Sequence, residues 1–114
     1  MADDLGTTSS GLKPAHAAAF AYVFGVITGL IFFFMEKDNR FVRFHAMQSI
    51  CFSIGLFLLA LAVRMLPVVG GALAVLTQIA AFFVWIVLIV KAAKGQWYRL
   101  PVVGDIAAKQ SGLL

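Results

Sequence analysis

The chain has 114 residues, of which 62% are hydrophobic and 12% are charged, and its mean hydropathy is +0.98. Water-soluble domains are roughly 45–50% apolar and about 25% charged, so this composition excludes an ordinary soluble domain and indicates a single membrane domain over residues 1–114. The net charge is +4. Because the basic residues flank apolar segments, we expect them to contact lipid head groups, including those of anionic lipids, and not nucleic acid.

The N-terminal part of the chain predicts a polar tail followed by a first membrane span. Residues 1–14 are mostly polar and are expected to form a flexible tail. Residues 15–35 carry no formal charge, and 21 residues of helix measure about 31 Å, which matches a hydrocarbon core of roughly 30 Å. The run is too long for a cleaved signal peptide and lacks a small-residue cleavage site, so we expect it to remain in the protein.

The second predicted span covers residues 46–63 and follows a charged break at residues 36–43. Residues 41–50 mix aromatic, basic and polar positions, and we predict a short amphipathic interfacial segment before the second helix. The alternative, in which this segment simply extends that helix, stays open.

The third predicted span covers residues 72–90, after a tight connection at Pro67, Gly70 and Gly71. Residues 91–114 are too polar to cross again and are predicted to form a cytoplasmic interfacial tail. The pentapeptide LPVVG occurs at residues 66–70 and again at residues 100–104. We interpret this echo as convergence on good turn residues in preference to a repeated structural unit.

The predicted fold class is therefore all-α, an integral membrane bundle of three transmembrane helices. Three spans place the N-terminal tail and the 64–71 loop on one side, and the 36–43 loop and the C-terminal tail on the other. The first side carries two Lys or Arg residues and the second carries seven. Because positive residues collect in the cytoplasm, we predict an outside N-terminus and a cytoplasmic C-terminus.

The sequence offers few groups for catalysis. It contains no HExxH, paired CxxC, phosphate-binding loop or GxSxG motif, and none of its carboxylates falls inside a predicted span. We expect no enzyme activity, no cofactor and no metal site. Helical spacing instead predicts a polar seam that either joins helices or lines a pore. Its candidate residues are His45, Gln48, Ser49, Ser53, Thr77 and Gln78.

Three blocks carry a family resemblance: GLKP at residues 11–14, EKDNRFVRFHAMQSI at 36–50 and KGQWYRLPVVGDIA at 94–107. They resemble the Tic-twenty-like family of small prokaryotic membrane proteins, which is related to a subunit of the chloroplast import translocon. The resemblance implies the cytoplasmic membrane of a prokaryote and supplies no catalytic residues. Together with the basic and aromatic band after the third span it marks a candidate cytoplasmic docking surface, in which the blocks at residues 41–49 and 97–105 are expected to pack together. Charge swaps between Arg40 or Arg43 and Asp105 would test this packing. The candidate residues are Arg40, Arg43, Trp97, Tyr98, Arg99, Pro101, Gly104 and Asp105.

The expected function is that of a structural or accessory subunit, which associates with itself as a homo-oligomer or with another membrane protein. The alternative is an oligomeric pore or carrier component, which the translocon resemblance suggests. Three helices enclose too little space for a pore, so this alternative requires several copies.

Overall fold

The computed structural model describes residues 5–110, and this range is helical without strands. The all-α class is thus confirmed for these residues. By length and composition, two of the helices, α3 and α4, are able to cross a membrane, whereas three transmembrane helices are not confirmed. The helices are α1 (Pro14–Val23), α2 (Val26–Met35), α3 (Arg40–Arg64), α4 (Gly70–Ala93) and α5 (Val103–Gln110).

The predicted first span is not one helix but two helices of 10 residues each, which pack against each other. The break falls at Gly25, whose φ of 60° and ψ of −121° belong to the mirror-image β region that glycine adopts readily and other residues rarely do. The chain reverses there. The prediction of a continuous helix over residues 15–35 was wrong because hydrophobic length alone does not reveal a glycine reversal.

The reversal brings the start of α1 and the end of α2 to the same end of the molecule. The backbone N–H groups of Ser9 and Ser10 donate to the two carboxylate oxygens of Glu36. The Asn39 amide donates to the carbonyls of residues 5 and 7 and caps α3 at Val42 N. Residues 5–10 are therefore held against the 36–39 loop, which the three-span topology had placed on the opposite side. Residues 1–4 of the predicted tail lie outside the described residues.

Residues 41–50 continue α3 without interruption and do not form a separate interfacial segment. They are the most deeply buried stretch of the chain, because α1, α2 and α5 all pack around this part of α3. Within residues 41–50, the polar side chains of His45, Gln48 and Ser49 are as buried as the aromatic ones of Phe41 and Phe44. The polar and the aromatic side of this segment both face other parts of the molecule.

The molecule has two unlike ends. We call residues 5–53 and 81–110 the packed end, where α1, α2 and α5 surround the α3–α4 pair. We call residues 54–80 the hairpin end, where α3 and α4 pack only on each other through small residues such as Ala60, Gly70 and Ala74. The large apolar side chains of the hairpin end are exposed, among them Phe57, Leu58, Leu59, Val75, Leu76 and Ile79.

Both copies of LPVVG fold into the same turn, which is the turn-forming behaviour that the sequence interpretation assigned to these residues. Val68 and Val102 have positive φ angles of 69° and 65°. In each copy the N–H of the following valine donates to the proline carbonyl two residues earlier, at 2.7 and 2.6 Å, which is the hydrogen bond of a γ-turn. A helix, α4 or α5, begins directly after each turn.

Candidate functional site

A buried hydrogen-bond network at the packed end joins α1, α3 and the segment after α4. The Nε2 atom of His45 lies 2.8 Å from the Gln96 carbonyl, which only accepts, so Nε2 carries the hydrogen. In the neutral ring Nδ1 is then an acceptor, and the Tyr22 hydroxyl donates to it at 2.6 Å. Both side chains are fully buried. The geometry thus fixes one tautomer of His45 and the direction of the Tyr22 hydroxyl.

Gln48 completes the network and uses its whole side-chain amide. Its Nε2 donates to the Tyr22 hydroxyl at 2.9 Å and to the Tyr98 carbonyl at 3.0 Å, and its Oε1 accepts from the Leu100 N–H at 2.9 Å. Residues 96–100 have no helix of their own, so α3 supplies the partners that their backbone groups lack. The network therefore fastens the segment after α4 to the core.

A second set of polar side chains binds backbone groups around the reversal at Gly25. Two of the carbonyls also accept backbone bonds, Tyr22 O from the N–H of Gly25 and Gly25 O from the N–H of Gly29. The Thr28 hydroxyl joins α2 to the end of α1, since it accepts from the N–H of Phe24 at 3.1 Å and also donates. The donated bonds run from Thr28 to Ala21 O (3.0 Å), from Ser49 to Gly25 O (3.1 Å) and from Trp85 to Tyr22 O (2.6 Å).

The residues of the predicted docking surface do lie at one end of the molecule, but most of them make internal contacts. Arg43 donates to the Phe33 carbonyl at 2.9 Å and lies 3.9 Å above that ring. Asp105 pairs instead with Arg99, at 3.5 Å between exposed side chains. Asp105 is therefore paired close to its own helix, while Arg43 is engaged at the end of α2.

The remaining docking candidates surround the segment that follows α4. Trp97 packs on two aromatic rings of α3, with centroid distances of 5.0 Å to Phe41 and 5.6 Å to Phe44. The Tyr98 ring lies beneath the Lys91 ammonium at 5.7 Å. Arg40 is exposed, Pro101 forms the second γ-turn, and Gly104 lies so close to Arg99 that a Cβ would stand 2.6 Å from its Cβ.

The predicted polar seam is divided between two places. His45, Gln48 and Ser49 are buried and engaged as described. Ser53 and Gln78 instead line an open groove of about 320 Å³ between α3, α4 and the reversal at Gly25, and Ser49 forms part of its wall. Thr77 is half-buried beside it on α4. The predicted seam residues therefore form one buried group and one group at the groove.

Three residues of the site were missed from the sequence: Tyr22, Thr28 and Trp85. Each lies inside an apolar run, so each was counted as part of a span. The available signal was that a hydroxyl or indole N–H within hydrocarbon needs a partner. Within residues 5–110, no three His, Cys, Asp or Glu side chains come together in a group that could hold a metal ion. The chemistry visible in the arrangement is hydrogen bonding that fixes the packing of helices.

The long apolar helices and the internally satisfied polar site define a helical membrane protein. The chain belongs to the magnetosome magnetite crystal formation protein family, whose model matches residues 9–107. It is 46% identical over 107 residues to a UPF0132 membrane protein of Methanocaldococcus jannaschii, covering 94% of this chain and 96% of that protein. It is 44% identical over 101 residues to a UPF0132 membrane protein of Archaeoglobus fulgidus, covering 89% and 98%.

These comparisons correct the family resemblance drawn from the three sequence blocks. The matches are to the magnetosome family and to archaeal membrane proteins, and nothing in them indicates a Tic-twenty-like protein. The blocks are therefore shared with a different group of small membrane proteins, and the translocon comparison no longer supports transport. No solved structure matches the chain.

Proposed function

We propose that this protein is a non-catalytic structural component of a membrane, and that it associates with a second copy of itself through the hairpin end. The proposal rests on the side-chain amide of Gln78, which is unpaired within residues 5–110. This side chain is exposed on α4 within the apolar hairpin end and makes no hydrogen bond within the described residues. An amide transferred to an apolar environment without a partner costs roughly 2–7 kcal/mol, so Gln78 favours a state in which it is paired.

A second copy supplies a fitting partner, because an amide is both donor and acceptor and two glutamines satisfy each other. The surface beside Gln78 also suits the close approach of another helix. Gly71 is exposed, lies seven residues before it on the same face of α4, and lines a shallow groove with it. A residue without a side chain lets another helix backbone come close in lipid.

For the arrangement in the membrane, we propose that α3 and α4 cross the bilayer while α1 and α2 enter and leave on one side. Eight of the nine Lys and Arg residues belong to the packed end, and Arg64 at the hairpin end is the ninth. The positive-inside rule then favours a cytoplasmic packed end. The proposal thus keeps the cytoplasmic C-terminus of the sequence prediction, and it moves the N-terminus from the outside to the cytoplasmic side.

The comparisons bear on this proposal only through the membrane location. The family description refers to magnetite crystals in magnetosomes, whereas the archaeal relatives are named only as membrane proteins. The role as a self-associating structural component therefore rests on the contacts of this chain.

Photo-crosslinking in native membranes tests the proposal. A photoreactive residue at Val75, which lines the same groove and leaves Gln78 in place, is expected to crosslink to a second copy, and the same residue at Leu73 serves as the control. Leu73 is also exposed in the hairpin end but lies on the other side of α4, since two residues turn a helix by about 200°. Self-crosslinks from position 75 and not from position 73 support the pairing. Crosslinks from position 75 to a different membrane protein, or equal crosslinking from both positions, contradict it.

A further inference from the structure

The two ends of the molecule differ in how much membrane area they occupy. At the packed end, α1 and α2 lie beside α3 and α4, whereas at the hairpin end α3 and α4 stand without them. A helix with its side chains is about 10 Å wide, so two extra helices add on the order of 160 Å² of cross-section. The difference is confined to one end of a body whose long axis measures 50 Å.

The extra helices belong in the hydrocarbon and not in water. The outer faces of α1 and α2 expose large apolar side chains, which include Phe20, Ile27, Ile31 and Phe34. Each helix has 10 residues and is thus about 15 Å long, half of a hydrocarbon core of roughly 30 Å. The pair therefore fills one leaflet and ends near the middle of the bilayer.

The last helix widens the same end at its surface. α5 packs on α3 with Ala107 against Phe44, while Ile106, Asp105 and Lys109 are exposed. Apolar and charged exposed side chains on one short helix are typical of the boundary between head groups and acyl chains. The leaflet at the packed end thus accommodates four helices and a fifth at its surface, and the other leaflet accommodates two.

The molecule is therefore a wedge, wide at the packed end and narrow at the hairpin end. From this shape we propose that the protein prefers strongly curved membrane, with the packed end in the convex leaflet. On a convex surface the outer leaflet is expanded relative to the inner one, so a body that is wider in the outer leaflet fills the added area. In a flat bilayer the same body compresses one leaflet and leaves the other loose. The protein would recognise a lipid surface of high curvature through the unequal widths of its two ends.

The preference does not depend on the pairing proposed through Gln78. The pairing surface lies at the narrow end, so two paired copies keep their wide ends in the same leaflet. The full chain with Gln78→Leu, which removes the amide and keeps an apolar side chain, therefore separates the two proposals.

Orientation in vesicles of two sizes tests the wedge. The full chain carrying Cys51→Ala is given one exposed thiol, Asp38→Cys at the packed end or Val68→Cys at the hairpin end, and is reconstituted into small sonicated and large extruded vesicles of phosphatidylcholine and phosphatidylglycerol. A membrane-impermeant maleimide then labels only outward-facing thiols. We expect the outward fraction of Asp38→Cys to be about twofold higher in small vesicles, and that of Val68→Cys to be lower, as for other curvature-sensitive insertions.

Three results overturn the proposal: equal outward fractions of Asp38→Cys in both vesicle sizes, a fraction that falls in small vesicles, or a bias that disappears with Gln78→Leu. The last result would assign the curvature preference to the pair and not to the wedge of a single chain. A bias that persists in Gln78→Leu supports the wedge even if photo-crosslinking disproves the pairing.

Discussion

The packed end and the hairpin end are held together in different ways. At the packed end the buried polar side chains are Glu36, Asn39, His45, Gln48 and Ser49, and each of them has a hydrogen-bond partner. At the hairpin end the buried residues are small ones, and the large side chains face outward. Hydrogen bonds therefore determine the arrangement of one end, while close helix contact and surrounding lipid or protein determine the other.

The two LPVVG turns make the comparison sharper, because one lies at each end. The local geometry is the same, with a valine at positive φ in both. In the hairpin end Val68 is fully exposed at the tip, whereas in the packed end the turn leads into α5, which is fastened to α3. The turn geometry thus depends on the five residues alone. The packing of the helix that follows the turn differs between the two ends.

The largest expected effect comes from the same substitution made at the two ends. Gln48→Leu removes three hydrogen bonds and leaves buried partners unsatisfied, so we expect the free energy of unfolding to fall by about 3 kcal/mol. Gln78→Leu is the matched control, and the stability of the monomer in detergent is expected to change by less than about 0.5 kcal/mol. Reversible unfolding in mixed micelles measures both. Equal losses would show that the two ends are not held differently.

A second comparison uses two glycines. Gly25→Ala places a side chain at φ 60° and a Cβ 2.6 Å from Ser53 Oγ, and backbone strain of this kind costs about 2 kcal/mol. Gly55→Ala in α3 meets nothing within 4 Å, and alanine is favoured in a helix, so stability is expected to stay unchanged or rise by about 0.5 kcal/mol. Thermal unfolding of the two variants distinguishes them. A Gly25→Ala protein as stable as the parent would contradict the reversal.

Removing one hydroxyl tests the network on a smaller scale. Tyr22→Phe leaves His45 Nδ1 without its donor, and we expect a loss of about 1.5 kcal/mol in the free energy of unfolding. Tyr98→Phe is the control, because Tyr98 contributes its backbone carbonyl and not its hydroxyl to the network. Denaturant titration of both variants measures the two free energies of unfolding, and that of Tyr22→Phe is expected to be the lower. If the two variants lose stability equally, the Tyr22 hydroxyl has no special role.

The smallest expected effect concerns the turn at the packed end. Asparagine tolerates positive φ better than valine does, and Val102 is exposed, so Val102→Asn loses little packing. We expect the free energy of unfolding to rise by about 0.5 kcal/mol, with Val103→Asn as a control at a helical position of ordinary φ. A clear loss of stability in Val102→Asn would mean that the valine side chain contributes contacts that outweigh the strain.

The sequence predicted the long helices well and the N-terminal third poorly. Mean hydropathy and charged flanks locate α3 and α4, because a long apolar helix leaves a continuous signal. Gly25 leaves no such signal, since a glycine inside an apolar run is equally compatible with close helix packing. The side chains that bind backbone groups at the reversal are Thr28, Ser49 and Trp85, and they come from three different helices.

The candidate site was predicted in part for a similar reason. Helical periodicity places His45, Gln48 and Ser49 on one face of α3, and the structure has them together. The partners of His45 and Gln48 are mainly carbonyls and N–H groups of residues 96–100 and the hydroxyl of Tyr22. Backbone partners have no sequence signature, so the pattern indicated a polar face without indicating what it binds.

The chain reverses at Gly25, and we propose that the N-terminal segment and the 36–39 loop therefore share one side of the membrane. Single thiols at Ser10→Cys, Asp38→Cys and Val68→Cys, each with Cys51→Ala, are labelled by an impermeant maleimide in right-side-out and in inverted membrane vesicles. We predict that positions 10 and 38 are labelled together in inverted vesicles, and that position 68 is labelled in right-side-out vesicles. Labelling of position 10 together with position 68 would contradict the reversal and restore a first helix that crosses the membrane.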